Sequence, residues 1–163
     1  MKRLPSLPAS TLNNCLVSGN SNLVGALCDE CSVNIVEIGT NLRARVKLRY
    51  KEELCAHAIS SDGAWLVVAT SSALYVHSIK DNFAFVYSEP HYYRTTCITI
   101  NNNVDVAVGG SPGMDIIHTI NITRGARKTQ YDDRAMCALK FSPDSKYGCV
   151  CEMNGLFYFW PNI

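Results

Sequence analysis

The chain has 163 residues, 47% of them apolar, with eight cysteines and a formal net charge of +1. That length suits one domain with a real core, and the near-neutral balance excludes a disordered tail and argues against an independent RNA binder working by bulk charge. The opening "MKRLPSLPAS" lacks the apolar centre of a secretory signal and the longest apolar runs fall far short of a bilayer span, so a soluble intracellular protein is expected.

Four of the cysteines mark a repeat. Cys15, Cys55, Cys97 and Cys137 are separated by 40, 42 and 40 residues and open "CLVSGNSNLVGALC", "CAHAISSDGAWLVV", "CITINNNVDVAVGG" and "CALKFSPDSKYGCV". A period near 40 with two or three short strands after each start predicts β-propeller blades, one partial propeller over 1–163 with blades at about 11–50, 51–92, 93–132 and 133–163. The thiols are expected to pack between adjacent blades rather than to form disulfides.

The first blade ends in "LRARVKLRYK". Arg43, Arg45, Lys47, Arg49 and Lys51 take every second position, and Leu42, Ala44, Val46, Leu48 and Tyr50 fill the alternate ones. A strand would put the two sets on opposite faces, one basic and one apolar. The place in the repeat predicts the outer strand of the blade. Charges recurring about every 6.6 to 6.8 Å can follow the phosphates of an extended nucleic acid or an acidic protein segment. An edge guarded against aggregation carries the same residue types. These five cations are the candidate partner-binding residues.

In the second blade, Ser60–Gly63 supplies turn chemistry, with Gly63 tolerating a positive φ; Trp65 to Ala69 reads as a buried strand and Leu74 to Ile79 as the next. The third contains "GGSPG" at Gly109 to Gly113. It reads as a turn, because no Gly-Lys-Ser/Thr leads from it into a helix as a phosphate loop requires. Arg124, Arg127 and Lys128 form a second basic cluster, expected to extend the same rim. The fourth blade is the clearest copy, with strands over Met136–Phe141, Tyr147–Cys151 and Leu156–Trp160.

Little here carries catalytic chemistry. "CDEC", Cys28 to Cys31, has the spacing of a zinc half-site or redox pair, but no second pair follows to complete four ligands. Cys149 and Cys151 alternate on one strand face, where packing is expected. His57, His77, His91 and His118 are scattered, with no obvious acid partner or nucleophile. The chain is therefore expected not to be an enzyme and to need no cofactor or metal; a thiol or zinc enzyme centred on Cys28 and Cys31 is the alternative from another class.

The phrase "FSPDSKYGCVCEMNGLFYFW" resembles the WD40 consensus, with Trp160 closing the blade and Asn154 where that family has its structural Asp. The other copies close on "NIVEI", "YVHSI" and "IIHTI", so apolar packing must replace most of the family's hydrogen-bonded tetrad. The fold class is thus all-β, a partial WD40-type β-propeller of about four blades of antiparallel strands. "KRLPSLPAS", "ISSDGAWLVVATSSALYVHSIK", "EPHYYRTTCITINNN" and "RAMCALKFSPDSKYGCV", in that order, resemble the C-terminal half of the second propeller of cirhin-like WD-repeat proteins. That resemblance implies a non-enzymatic scaffold of the small-subunit processome, acting in ribosomal RNA processing in the nucleolus, with other protein subunits and pre-rRNA as partners. "VDVAVGG" and the "HSI" and "HTI" strand ends also resemble actin-interacting protein 1, which implies an actin-regulatory role in the cytoplasm. WD40 rings normally close with seven blades. Four leave two uncovered faces, so missing blades or another chain are expected to complete the ring, and the isolated chain is expected to associate or aggregate.

Overall fold

Fifteen strands arranged as four antiparallel sheets make up a computed structural model of the chain, which describes residues 14–17, 23–29, 31–38, 42–90, 95–110, 116–121, 126–131, 136–152, 155 and 157–161. The first sheet holds β1 (Asn14–Val17), β2 (Leu23–Asp29), β3 (Ser32–Ile38) and β4 (Leu42–Arg49); the second holds β5 (Leu54–Ile59), β6 (Trp65–Thr70), β7 (Ala73–Ser78) and β8 (Ala84–Pro90). β9 (Thr95–Ile100), β10 (Asp105–Gly110), β11 (Ile116–Asn121) and β12 (Ala126–Tyr131) form the third, and β13 (Met136–Phe141), β14 (Tyr147–Glu152) and β15 (Phe157–Pro161) the fourth. Every sheet is a meander in sequence order, and no helix occurs among the described residues. The chain is an all-β partial propeller.

Short runs of Val, Ile, Leu and Ala bury β6 and β10 on both faces, because the second and third sheets are sandwiched between neighbours. The side of the first sheet that carries Val33 and Ile35 packs on Leu54, Leu66, Val68 and Phe83 of the second. The opposite side of the second sheet, with Ala56, Ala58, Val67 and Val76, packs on Ile98, Ile100, Val106 and Val108 of the third. Cys97 and Ala107 of the third then meet Leu139, Phe141 and Val150 of the fourth. The inner strands β5, β9 and β13 are adjacent, as blades fanning about a common axis require.

The repeat is phased by one turn. After each of these inner strands comes Ser60, Asn101 or Ser142, spaced 41 residues apart, and three residues later a left-handed residue: Gly63 (φ 71), Val104 (φ 64) or Ser145 (φ 61). Ser60 Oγ donates to Asp62 Oδ1 at 2.6 Å and accepts from the Trp65 amide at 2.9 Å. Ser142 repeats this with Asp144 and the Tyr147 amide at 2.6 and 3.0 Å. In the third sheet Asn101 Oδ1 accepts from the amides of Asn103 and Asp105, each at 2.9 Å.

Counted from this turn, the cysteines are not equivalent. The pairing registers skip Cys55, Thr96 and Cys137 in turn, so a β-bulge falls at the same repeat position each time and Cys97 stands one residue beyond it. The expectation that these thiols pack between blades therefore holds fully for Cys97, which is buried; Cys55 is half-buried against the core and Cys137 is exposed. Cys15 lies in β1, its side chain outside the described residues. Burial pushes the Cys97 thiol up to about 11.

Candidate partner-binding edge

β4 is the edge strand of the first sheet, the outer position expected for "LRARVKLRYK". Along its C-terminal half the alternation holds. Val46, Leu48 and Tyr50 pack against the core shared with the second sheet, while Lys47, Arg49 and Lys51 are exposed. The register pairs Lys47 with Asn34 and Arg49 with Ser32. Lys51 stands beyond the strand, in the connection to β5.

In the N-terminal half, partners jump from Ile35↔Val46 to Val36↔Ala44, so Arg45 is the extra residue of a bulge. One unpaired residue inverts a period-two pattern. Arg43, opposite Glu37, thus falls in the register row of Val46 and Leu48 rather than that of Lys47 and Arg49. The side chains of Arg43 and Arg45 lie outside the described residues, as do 122–125 of the Arg124, Arg127 and Lys128 cluster; Arg127 and Lys128 occupy β12, the edge strand of the third sheet. Two cations two residues apart, Lys47 and Arg49, form the straight part of the stripe.

The end of the stripe is anchored. The Tyr50 amide donates to the Cys31 carbonyl at 2.8 Å, and the Tyr50 ring lies 5.1 Å from that of Tyr75. Just beyond, Glu52 Oε2 accepts from Thr70 Oγ1 at 2.9 Å and from the Ser72 hydroxyl, bracing the connection on the second sheet. Exposed cations are therefore carried on a strand whose other side and following turn are fixed, which lowers the ordering cost of docking a charged chain.

The other candidates differ. Cys28 lies in β2 and Cys31 in the turn before β3; among the described residues no group of three or more His, Cys, Asp or Glu is placed to hold a metal. His57 and His77 are buried in the second sheet, His118 is in β11, and His91 lies outside the described residues. Gly109 and Gly110 end β10, where Thr96 Oγ1 donates to their carbonyls at 3.2 and 3.1 Å; residues 111–113 of "GGSPG" lie outside the described residues. A cleft of about 150 Å³ lies where the second, third and fourth sheets meet, lined among others by Ser61, Asn101, Lys140 and Ser142.

Sequence reasoning passed over one surface. Cys149 and Cys151 do share a face, but their register partners are Phe159 and Phe157, both exposed, so the face packs against nothing described. The exposed aromatic alternation in "LFYFW" was the available signal.

No protein-family model matches the chain, and no curated protein matches it in sequence. Solved structures match its fold. Hydrazine synthase of Kuenenia stuttgartiensis superposes with a TM-score of 0.72 at 17% identity, over 98% of this chain and 49% of that one. The Cps50 (Swd1) β-propeller domain of Myceliophteria thermophila gives 0.74 at 11% identity, over 94% and 52%. U3-55K gives 0.74 at 13% identity, over 95% and 50%. The chain spans about half the length of each of these structures.

Proposed function

We propose that the chain is a non-enzymatic WD40-type scaffold that acts in small-subunit ribosomal RNA processing in the nucleolus, binding protein subunits of a large assembly and pre-rRNA. The observation that carries the reading is the anchored edge strand β4, which holds Lys47 and Arg49 exposed while Val46, Leu48 and Tyr50 tie it to the core. The cirhin-like stretches supply the processing context, and the propeller fold that the chain shares with U3-55K supports the scaffold alone. The partner-binding residues in this reading are Arg43, Arg45, Lys47, Arg49 and Lys51. The segment "VDVAVGG", which resembles actin-interacting protein 1, is buried throughout β10, so that resemblance reports core packing rather than a binding surface.

Ultraviolet crosslinking of the tagged chain in cells, followed by RNA sequencing, tests the reading. Pre-rRNA recovered through crosslinks at residues 43–51 is the expected result. Recovery of actin without rRNA precursors would replace it with the actin-regulatory role, and a ribonuclease-resistant complex with an acidic protein would remove direct RNA contact.

A further inference from the structure

The fourth blade sets two thiols against each other where the second and third do not, and from this we propose that Cys137 and Cys151 are a reversible redox pair, closed to a cross-strand disulfide by a low-molecular-weight disulfide such as oxidised glutathione. The proposal is independent of the role assigned to β4.

The β-bulge recurs at one position of the repeat, and what faces it differs from blade to blade. In a bulge two residues of one strand oppose one of its partner. In the second sheet Cys55 and Ala56 oppose Ala69, and in the third Thr96 and Cys97 oppose Gly109. In the fourth, Cys137 and Ala138 oppose Cys151, so each of the two strands brings a thiol to the same place. Cys137 Sγ donates to the Cys151 carbonyl at 3.3 Å. The Cys151 thiol is pushed up, first of all by its hydrogen bond with the Cys137 thiol. Opposed residues of antiparallel strands have Cα atoms about 4.5–5.5 Å apart, inside the range of about 4.4–6.8 Å that disulfides span. The contact lies within one sheet and is fixed by register and bulge, whatever packs against either face.

Cys137 is the more exposed of the two, so the first attack falls to it. Having lost its proton to solvent, its sulfur attacks one sulfur of the glutathione disulfide and expels a glutathione thiolate. The Cys151 thiolate then attacks the Cys137 sulfur of the mixed disulfide and expels the second. The two protons that the protein loses are taken up by the two leaving thiolates, and the two electrons it gives up reduce the glutathione disulfide to two thiols. Rival pairings are weaker. Cys149 and Cys151 are alternate residues of one strand, with Cα atoms held about 6.6–6.8 Å apart, the far limit for a disulfide. Cys97, which also acts on Cys137, is buried with its thiol pushed up to about 11, so it supplies little thiolate. The closed bond ties the inner strand of the fourth blade to its neighbour across the turn that begins at Ser142.

The test titrates the reduced 163-residue chain with mixtures of reduced and oxidised glutathione, traps free thiols by alkylation and maps the peptides by mass spectrometry. The native chain is expected to lose the mass of two hydrogens in a single linkage between positions 137 and 151, reversed by dithiothreitol. Cys55, with Ala69 opposite, is expected to form no linkage. Cys151→Ser, which cannot resolve the mixed disulfide, is expected to hold glutathione on Cys137 as a stable adduct, and the parent oxidised in urea is expected to scatter its linkages among other cysteines. Should Cys151→Ser fail to fold, the maps of the native and unfolded parent decide. Free thiols at both positions throughout the series, a glutathione adduct that persists on Cys137 of the parent, a bridge from Cys137 to Cys97 or from Cys151 to Cys149, or the same single linkage in the unfolded chain overturns the proposal.

Discussion

Tyr50 Oη donates to His77 Nε2 at 3.0 Å across the junction of the first and second sheets. The bond fixes the tautomer, because His77 Nδ1 lies 3.1 Å from the Phe83 carbonyl, which can only accept. Burial holds His77 below its ordinary value of 6.5, and burial beside Tyr75 raises Tyr50. The pair is thus a neutral latch between the strand carrying the basic stripe and the next blade.

The latch gives stability a pH dependence. With the folded-state value depressed, the unfolded chain binds more protons at acid pH, so the contribution of His77 is complete above about 6.5, its ordinary value, and is lost as pH falls through the folded value. Melting temperatures from pH 8 to 5 are expected to fall less steeply for His77→Gln than for the parent. Tyr50→Phe, which deletes the hydroxyl and leaves His77 Nε2 without this donor, is expected to cost about 1–2 kcal/mol at neutral pH. Equal slopes for parent and His77→Gln would place the acid sensitivity elsewhere.

Cys97 and Cys137 offer a matched pair. Cys97→Asp buries a carboxylate against Leu139 and Phe141, and is expected to lower stability by at least about 3 kcal/mol. Cys137→Asp, at an exposed bulge, is expected to cost under about 1 kcal/mol. Similar urea midpoints for both variants would mean that the turn does not set the phase of the repeat.

At the turn itself, Ser60 is fully buried and its hydroxyl serves both Asp62 and the Trp65 amide. Ser60→Ala strands that amide and is expected to cost about 1–3 kcal/mol. Gly63→Ala forces an L-residue to φ 71 and is expected to cost about 1–2 kcal/mol. Denaturant unfolding followed by Trp fluorescence measures both.

For the stripe, if the proposed RNA contact is made there, replacing Lys47, Arg49 and Lys51, all exposed, by Glu is expected to abolish it without lowering the melting temperature by more than a few degrees, whereas adding Arg43→Glu, in the row of Val46 and Leu48, is expected to cost stability as well. Removing the two straight-register cations singly as Lys47→Gln and Arg49→Gln should flatten the plot of log affinity against log salt by about 0.7 for each phosphate of a single strand that is no longer neutralised. Filter binding from low to physiological salt gives the slope. Charge reversal at Lys146, which pairs with Asp144 at 3.9 Å, is the control and should leave the slope unchanged.

The fold was legible because the turn residues and apolar runs recur at a nearly constant period, and strands such as Trp65–Thr70 and Met136–Phe141 fall where the pattern puts them. Bulges were not legible. Nothing in "LRARVKLRYK" distinguishes Arg45 from its neighbours, since a bulge is set by the partner strand and by sheet twist rather than by the bulged residue. The cysteine spacing of 42 and 40 against a true 41 hid the same effect, because Cys97 takes the position that Ala56 and Ala138 hold in the other copies. The exposure of Phe157 and Phe159 was not legible either, since a sequence shows alternation but not whether the face is covered.

One contact bears on curvature. Asn102 Oδ1 in the third sheet's turn accepts from Ser61 Oγ at 2.8 Å and from the Asp62 amide at 3.0 Å, a strut across the rim to the second sheet. At the same repeat position in the fourth turn stands Pro143, whose ring has no amide to reach back with, and it lines the cleft beside Lys140 instead. The wedge between the second and third sheets is therefore held at its rim as well as its core, by a side-chain amide that Pro143 cannot supply to the next joint. One asparagine side chain thus sets how far two neighbouring blades can splay at the rim, a constraint carried by the turn rather than by the strands.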